Sequence, residues 1–284
     1  MQRPIKKAVI ITPSIKTEGR GVAREIESYL KSIGIECETR FIEKTINTNL
    51  VFSPDTDLVI PLGGDGTVLC CARSCIKNGI TVLPINLGTF GYITEIEVAE
   101  WKDALTLYMN EGKNYSERLM LRVSVYIEGK KVWDAVGLNE AVVCSSGIAK
   151  VVSLQLSIDD TFAGNFRSDG MIVATPTGST GYSLASGGPI LDYNMRALVV
   201  TPICPFALSN RPLVTGDKDI SILVRDNQRT HVCLTVDGQL YFELEEEDRI
   251  VCRMHSKRIR LINSLKRNFT EVIREKLHWS GEMK

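Results

Sequence analysis

Asp65 lies inside a run of glycines, Gly63-Gly64-Asp65-Gly66-Thr67, that follows the aliphatic stretch "DLVIPL" at 57–62. Glycines between a buried strand and a helix start let backbone N–H groups face a ligand, and the helix N-terminus adds partial positive charge. The turn therefore suits an anion. It is not a P-loop, which needs the lysine of G-x-x-x-x-G-K-[ST], and its glycines lack the G-x-G-x-x-G spacing of a dinucleotide fingerprint. A carboxylate repels phosphate, so Asp65 needs a task of its own. Three fit: holding a Mg²⁺ that bridges phosphates, accepting the proton of a hydroxyl that attacks a phosphoryl group, or capping a helix that starts near Thr67.

Other polar sets stand further on. Asn139 and Glu140 in "VGLNEAVV" end a β-type run, and adjacent strand residues face opposite ways, so both reach one ligand only at a bulge or a strand end; turn chemistry is the alternative. "ATPTGSTGYSLASGGP" at 174–189 is rich in glycine and hydroxyls, either a ligand loop or a plain connection, and Asp237-Gly238-Gln239 reads as a hairpin turn. His231, His255 and His278 are scattered, and the eight cysteines (37, 70, 71, 75, 144, 204, 233, 252) contain no C-x-x-C pair. Free thiols and no structural zinc are expected.

These residues need a scaffold, and the composition allows one or two globular domains: 284 residues, 44% hydrophobic, with 34 basic and 34 acidic side chains. No global positive field argues for nucleic acid or an anionic membrane surface, so any phosphate binding is local. No apolar run approaches the roughly 18 residues of a membrane span, and the apolar stretch near the start is too short for a signal peptide. A cytoplasmic protein is expected.

The first 110 residues alternate in period. "KAVIIT", "IECETRFI", "DLVIPL" and "ITVLPINLG" read as strands; "GRGVAREIESYLKSIG", closed by Gly34, and "GTVLCCARSCIKNG" read as helices. Strand and helix in turn give a parallel sheet covered by helices, which binds ligands beyond the carboxyl ends of its strands. After about residue 118 the period becomes two: "LRVSVYIEG" alternates, and "VSLQLSIDDTFAGNF" and "HVCLTVDGQLYFEL" alternate about turns at Asp159-Asp160 and Asp237-Gly238. That is an antiparallel, β-rich domain. "SLKRNFTEVIREKLHW" regains helical spacing. The chain thus divides into an α/β domain over 1–112, a β-rich domain over 113–254, and a segment over 255–284 whose closing helix packs back on the first domain.

"PLGGDGTVLCCAR" resembles the signature shared by NAD kinases, bacterial-type phosphofructokinases and diacylglycerol or sphingosine kinases. Together with "VGLNEAVV", "FRSDGMIVATPTGSTGYSLASGGPI" at 166–190, "VDGQ" at 236–239, "INLGTFGYITEI" at 85–96 and "ERLMLRV" at 117–123, it makes nearly the whole chain similar to the NAD kinase family. The resemblance implies an N-terminal α/β domain with a parallel sheet and an antiparallel all-β, β-sandwich-like C-terminal domain, with substrate between them. It also implies transfer of a terminal phosphoryl group from ATP or polyphosphate, accompanied by a divalent metal such as Mg²⁺, to the 2′-hydroxyl of the adenosine ribose of NAD. Such chemistry needs positioning and charge neutralisation more than reactive side chains.

Carried over residue by residue, the resemblance makes Asp65 the group that accepts or guides the 2′-hydroxyl proton and Gly66 a point of close backbone approach. Arg73 matches a phosphate-facing arginine, with a solvated helix arginine as the alternative. Asn139 and Glu140 bind adenosine and ribose hydroxyls. Thr180, Gly181, Tyr182, Ser183, Leu184 and Ala185 occupy dinucleotide-contacting positions, Gln239 another. Arg167, Asp169 and Lys150 match positions that reach the ligand in part across a subunit boundary, so a homodimer or homotetramer is implied. Phe206 stands where many bacterial members carry histidine, and Lys150 where members vary. Rivals are a sugar-phosphate or lipid kinase with the same glycine turn, or a non-catalytic dinucleotide-binding protein. Since Asn caps helices about as well as Asp, Asp65→Asn is expected to leave stability within about 1 kcal/mol.

Overall fold

The structure, a computed structural model, describes residues 4–15, 17–43, 45–46, 48–88, 91–147, 151–225 and 231–277. Contacts divide the chain into two units, the first comprising Met1–Glu117 with Ile259–Lys284 and the second Arg118–Arg258. The first unit contains β1 (Lys7–Pro13), α1 (Thr17–Ser32), β2 (Glu36–Ile42), β3 (Leu58–Gly63), α2 (Asp65–Cys75), β4 (Thr81–Val82), β5 (Ile85–Asn86), β6 (Ile96–Glu97) and α3 (Trp101–Glu111). β1 lies between β2 and β3, all parallel, and β3 pairs in turn with β4 and β5. Every residue of β3 is buried, as a strand covered on both faces requires. Ala23, Ile26 and Leu30 of α1 enter the same core as Ala8, Ile10, Leu58 and Ile60.

The expected strand "ITVLPINLG" is broken. Thr81–Val82 and Ile85–Asn86 pair separately with β3, and Pro84 between them has no N–H to give the ladder. Helix α3 is absent from the sequence-based elements, although Trp101, Ala104, Leu105 and Tyr108 form one buried face and Gly112 closes it at φ +64°. α2 starts at Asp65, two residues before the expected Thr67.

The chain continues through β7 (Tyr115–Ile127), β8 (Lys130–Gly137), β9 (Glu140–Ser145), β10 (Val152–Ile158), β11 (Thr161–Ser168), β12 (Gly170–Ala174), α4 (Tyr182–Ala185), β13 (Leu198–Ile203), β14 (Leu213–Thr215), β15 (Ile220–Arg225), β16 (Val232–Val236), β17 (Leu240–Leu244), β18 (Arg249–Ile262) and α5 (Phe269–Leu277). In the second unit β14-β13-β12-β9-β16-β17 form one antiparallel sheet, while β10 pairs with β11 and β15 and β7 with β8. Inward residues of both sets share one core, among them Val123, Ala141, Val143, Leu154, Met171, Val173, Ile222 and Leu234. The hairpin turns have the left-handed backbone that aspartate and glycine favour, with φ +46° and +61° at Asp159-Asp160 and +53° and +62° at Asp237-Gly238. Ile127, at the end of its alternating run, is exposed.

Helix α5 belongs to the first unit, and its start is capped reciprocally: the Glu271 N–H donates to Asn268 Oδ1 at 3.0 Å, and the Asn268 N–H to Glu271 Oε2 at 2.8 Å. Val272 and Ile273 are its buried residues. Just ahead of it, Arg267 pairs with Glu97, Glu275 and the nearly buried Glu100. Arg267→Ala leaves Glu100 without this cation and is expected to cost about 1 to 3 kcal/mol in urea unfolding, the worth of a charged hydrogen bond. A change below about 0.5 kcal/mol would assign the anchoring of α5 to its apolar contacts alone.

Candidate active site

Gly64 is the N-cap of α2 and no side chain caps the helix, so capping does not explain Asp65. The Asp65 side chain turns to the segment 91–94 instead. Oδ2 accepts the Tyr92 N–H at 2.9 Å; Oδ1 accepts the Ile93 N–H at 3.1 Å, the Thr94 N–H at 3.0 Å and the Thr94 hydroxyl at 2.9 Å. A Cβ on Gly91 would lie 2.0 Å from Oδ1, so only glycine lets the segment approach this closely. Among the described residues Oδ1 is saturated by three donors, whereas Oδ2 has one and keeps acceptor capacity. Asp65 is half-exposed.

This geometry corrects the expectation for Asp65→Asn. An amide in the carboxylate's place aims its NH₂ at the Tyr92 N–H, donor against donor, or surrenders the three bonds to Oδ1. Leaving a donor unmatched costs about 1 to 3 kcal/mol.

A second aspartate does the same work in the second unit. Asp237 accepts the Leu138 N–H at 3.0 Å, the Asn139 N–H at 2.8 Å and the Glu140 N–H at 3.3 Å, which fixes the corner between β8 and β9. Here too a neighbouring glycine makes room, since a Cβ on Gly137 would lie 2.9 Å from Asp237 Oδ1. The Thr175 N–H donates to the Asn139 carbonyl at 2.8 Å and ties the loop after β12 to this corner. Around it, Asn139 Oδ1, Glu140 Oε2 and Thr177 Oγ1 are buried with no hydrogen-bond partner among the described residues. Such atoms are costly unless a ligand satisfies them. Burial first, and the Asp237 charge second, push the Glu140 carboxyl up to about 8.

The loop places its residues unevenly. Gly181 stands against the Glu140 carboxylate, a Cβ there lying 3.1 Å from Oε2. The Thr180 hydroxyl donates to the Thr177 carbonyl at 3.2 Å, Ser183 is buried and shares a hydrogen bond with Thr201 at 2.9 Å, Leu184 is half-buried, and Tyr182 and Ala185 are exposed. Arg167 is exposed on β11 with its guanidinium 5.3 Å from the Phe206 ring centroid, and Asp169 is exposed within electrostatic reach of Tyr182. Gln239 is buried, its N–H bonded to the Val236 carbonyl at 3.0 Å. Gly66 and Arg73 are half-buried on α2. Lys150 lies outside the described residues.

Thr177, the clamp made by Asp237, and the Tyr92–Thr94 segment were not assigned from sequence. Lys276 of α5 shows in the sequence only as part of a helical stripe, yet it lies within electrostatic reach of Asp65; burial holds its amine below its usual value, against the pull of that carboxylate. Nothing in local spacing signals these pairings, which join residues 27 or more positions apart.

Residues 19–113 match the family model described as ATP-NAD kinase N-terminal domain, and residues 138–264 the one described as ATP-NAD kinase C-terminal domain. A protein of Treponema denticola named NAD kinase is 41% identical over 282 residues, covering 98% of this chain and 98% of its own. The chain belongs to the NAD kinase family. An NAD kinase of Geotalea daltonii is 36% identical over 266 residues, 91% of this chain and 93% of its own. Among solved structures, yeast NADH kinase complexed with NADH superposes with a TM-score of 0.86 at 24% identity, covering 100% of this chain and 90% of that one. An NAD kinase from Archaeoglobus fulgidus in complex with ATP gives 0.75 at 23% identity, covering 98% and 100%. These two show the fold, the NAD kinase fold of α/β and antiparallel β regions.

Glu140 gives the site a pH dependence. Its folded value of about 8 stands above the ordinary 4.5, so rising pH ionises the unfolded chain first and stability falls between those values. From pH 5 to 8.5, ligand-free protein is expected to lose at least about 1 kcal/mol more than Glu140→Gln does in chemical unfolding. Parallel curves for the two would contradict the burial of an uncompensated carboxyl.

Proposed function

We propose that this chain transfers the terminal phosphoryl group of ATP or polyphosphate to the 2′-hydroxyl of the adenosine ribose of NAD, giving NADP. The observation that carries the reading is the Asp65 carboxylate, held by four donors with acceptor capacity left on Oδ2. Oδ2 takes the 2′-hydroxyl proton as that oxygen bonds to the terminal phosphorus and the bond to the bridging oxygen breaks, releasing the shortened donor. A ribose hydroxyl is far less acidic than a carboxylic acid, so the proton moves only as the bond forms and the carboxylate acts by position.

Adenosine supplies what the second unit lacks. Among the described residues Asn139 Oδ1 is an acceptor without a donor, which the adenine amino group provides, and Glu140 Oε2 is matched by a ribose hydroxyl. Gly66, Arg73 and the 180–185 loop hold phosphates and ribose through backbone N–H groups and charge, with Gln239, Arg167, Asp169 and Lys150 completing the contacts, the last three in part across subunits of a homodimer or homotetramer. The protein acts in the cytoplasm.

A divalent metal accompanies the donor. Among the described residues no group of three or more His, Cys, Asp or Glu could hold one, and Asp65 spends most of its acceptors on N–H groups. The residues do not fit a resident Mg²⁺, which enters on the donor phosphates.

Two outcomes test the reading. Asp65→Asn, assayed well below its melting temperature, is expected to lower turnover on the order of 10²- to 10⁴-fold, the usual worth of a positioned base, with NAD affinity little changed; near-normal turnover would leave Asp65 a clamp only. Because ribose hydroxyls that donate to Glu140 favour its charged form, NAD binding near pH 7 is expected to release a proton, visible as a dependence of calorimetric heat on buffer ionisation enthalpy. Glu140→Gln abolishes that dependence, and a wild type without it would move the ribose elsewhere.

A further inference from the structure

Cys144 of β9 and Cys233 of β16 take no part in this chemistry, yet they stand side by side. They are register partners in the antiparallel pair, with Sγ atoms 3.8 Å apart. The bonds Ser146 N–H to His231 O and Asp237 N–H to Glu140 O flank them in the same phase, so theirs is a hydrogen-bonded position. Cα atoms there are about 5.5 Å apart, within the roughly 4.4–6.8 Å that a disulfide spans.

Their place on the sheet matters. Ala141, Val143, Leu234 and Val236 point into the main core, whereas Cys144 packs on the opposite face with Val142, Ile172, Leu191 and Ile203. Tyr182, the exposed head of the 180–185 loop, lies within electrostatic reach of Cys144. The ends of the same two strands carry Glu140 and Asp237, four residues from each cysteine, whose backbone contact fixes the corner at 138–140. Cys144 is half-buried and Cys233 buried. The hydrogen bond from the Cys233 thiol brings Cys144 down to about 7, against burial, and pushes Cys233 up. Cys144, the more exposed of the two sulfurs, is the one a peroxide reaches first and is the nucleophile of the pair.

We propose that Cys144 and Cys233 form a reversible cross-strand disulfide on exposure to a hydroperoxide, and that closing it weakens dinucleotide binding at the adjoining corner and loop. The Cys144 thiolate attacks the peroxide oxygen, giving a sulfenic acid and releasing hydroxide, or an alkoxide from an organic peroxide; the Cys233 sulfur then attacks the sulfenic sulfur and the hydroxyl leaves as water. Two thiols are oxidised as one peroxide is reduced, and an external dithiol reverses the change by exchange. The sulfurs must close from 3.8 Å to about 2.05 Å, which draws on the two strands that hold Glu140 and Asp237. The second half of the proposal rests on the assignment of that corner to NAD.

Fully reduced protein is treated with equimolar hydrogen peroxide, its remaining thiols are alkylated, and peptides are read by mass spectrometry. The expected result is loss of two of the eight thiols, a peptide linking residues 144 and 233, and recovery of both thiols with dithiothreitol. The NAD dissociation constant is expected to rise on the order of five-fold, a disturbance equal to about one hydrogen bond, and to stay constant under peroxide in Cys144→Ala and in Cys233→Ala. Absence of that linked peptide, a link from Cys144 to the exposed Cys204 instead, or a closed disulfide with unchanged NAD affinity overturns the proposal. Reduced protein that binds no NAD would instead sink the assignment of the corner, while the linked peptide is read without NAD.

Discussion

Two aspartates, each followed by glycine, bind three consecutive backbone N–H groups of a distant segment, and the ordering of both candidate site regions follows from that one interaction. Asp65 grips 92–94 and Asp237 grips 138–140. An ionised carboxylate is acceptor-only, and bonds to a charged acceptor are about twice as strong as neutral ones. Each clamp also requires a missing side chain beside it, at Gly91 and Gly137. The chain thereby holds irregular backbone at fixed positions without helix or sheet to do so. A carboxylate in a glycine turn is not at odds with an anion site, because its charge is matched by N–H donors of its own fold.

The clamps differ in what they leave over. Asp65 keeps one acceptor position on Oδ2, a single feature suited to a proton in transit. Asp237 instead orders a corner at which Asn139 Oδ1, Glu140 Oε2 and Thr177 Oγ1 have no hydrogen-bond partner among the described residues, and adds its charge to the burial that raises the Glu140 carboxyl. Buried atoms without partners lower stability, and the antiparallel core of the second unit offsets them through its apolar residues.

Much of this architecture was legible in the sequence because it is local. Gly34 closes a helix with positive φ, Asp159-Asp160 and Asp237-Gly238 turn hairpins, and the change of period after about residue 118 separates α/β from antiparallel β. Helix α3 was passed over although its buried residues sit at i, i+3, i+4 and i+7, since polar Lys102, Asp103 and Thr106 dilute a short stripe. The division of the fourth strand is written in Pro84, which has no N–H for the ladder. The role of the glycine-turn aspartate could be narrowed by chemistry to three tasks but not resolved: its partners lie 27 to 29 residues away, and that pairing exists only after the sheet has formed. Asp237 was visible as a turn, and its grip on residues 138–140 was hidden for the same reason.

The atom that accepts the phosphoryl group decides the proposed reaction. Purified chain incubated with NAD, ATP and Mg²⁺ can be followed by phosphorus NMR, with the product's new monoester correlated to ribose protons. One new phosphate is expected, coupled to H2′ of the adenosine ribose, formed in step with loss of the ATP terminal phosphorus. A phosphate on any other hydroxyl, or ATP consumed with no new monoester on NAD, would contradict it.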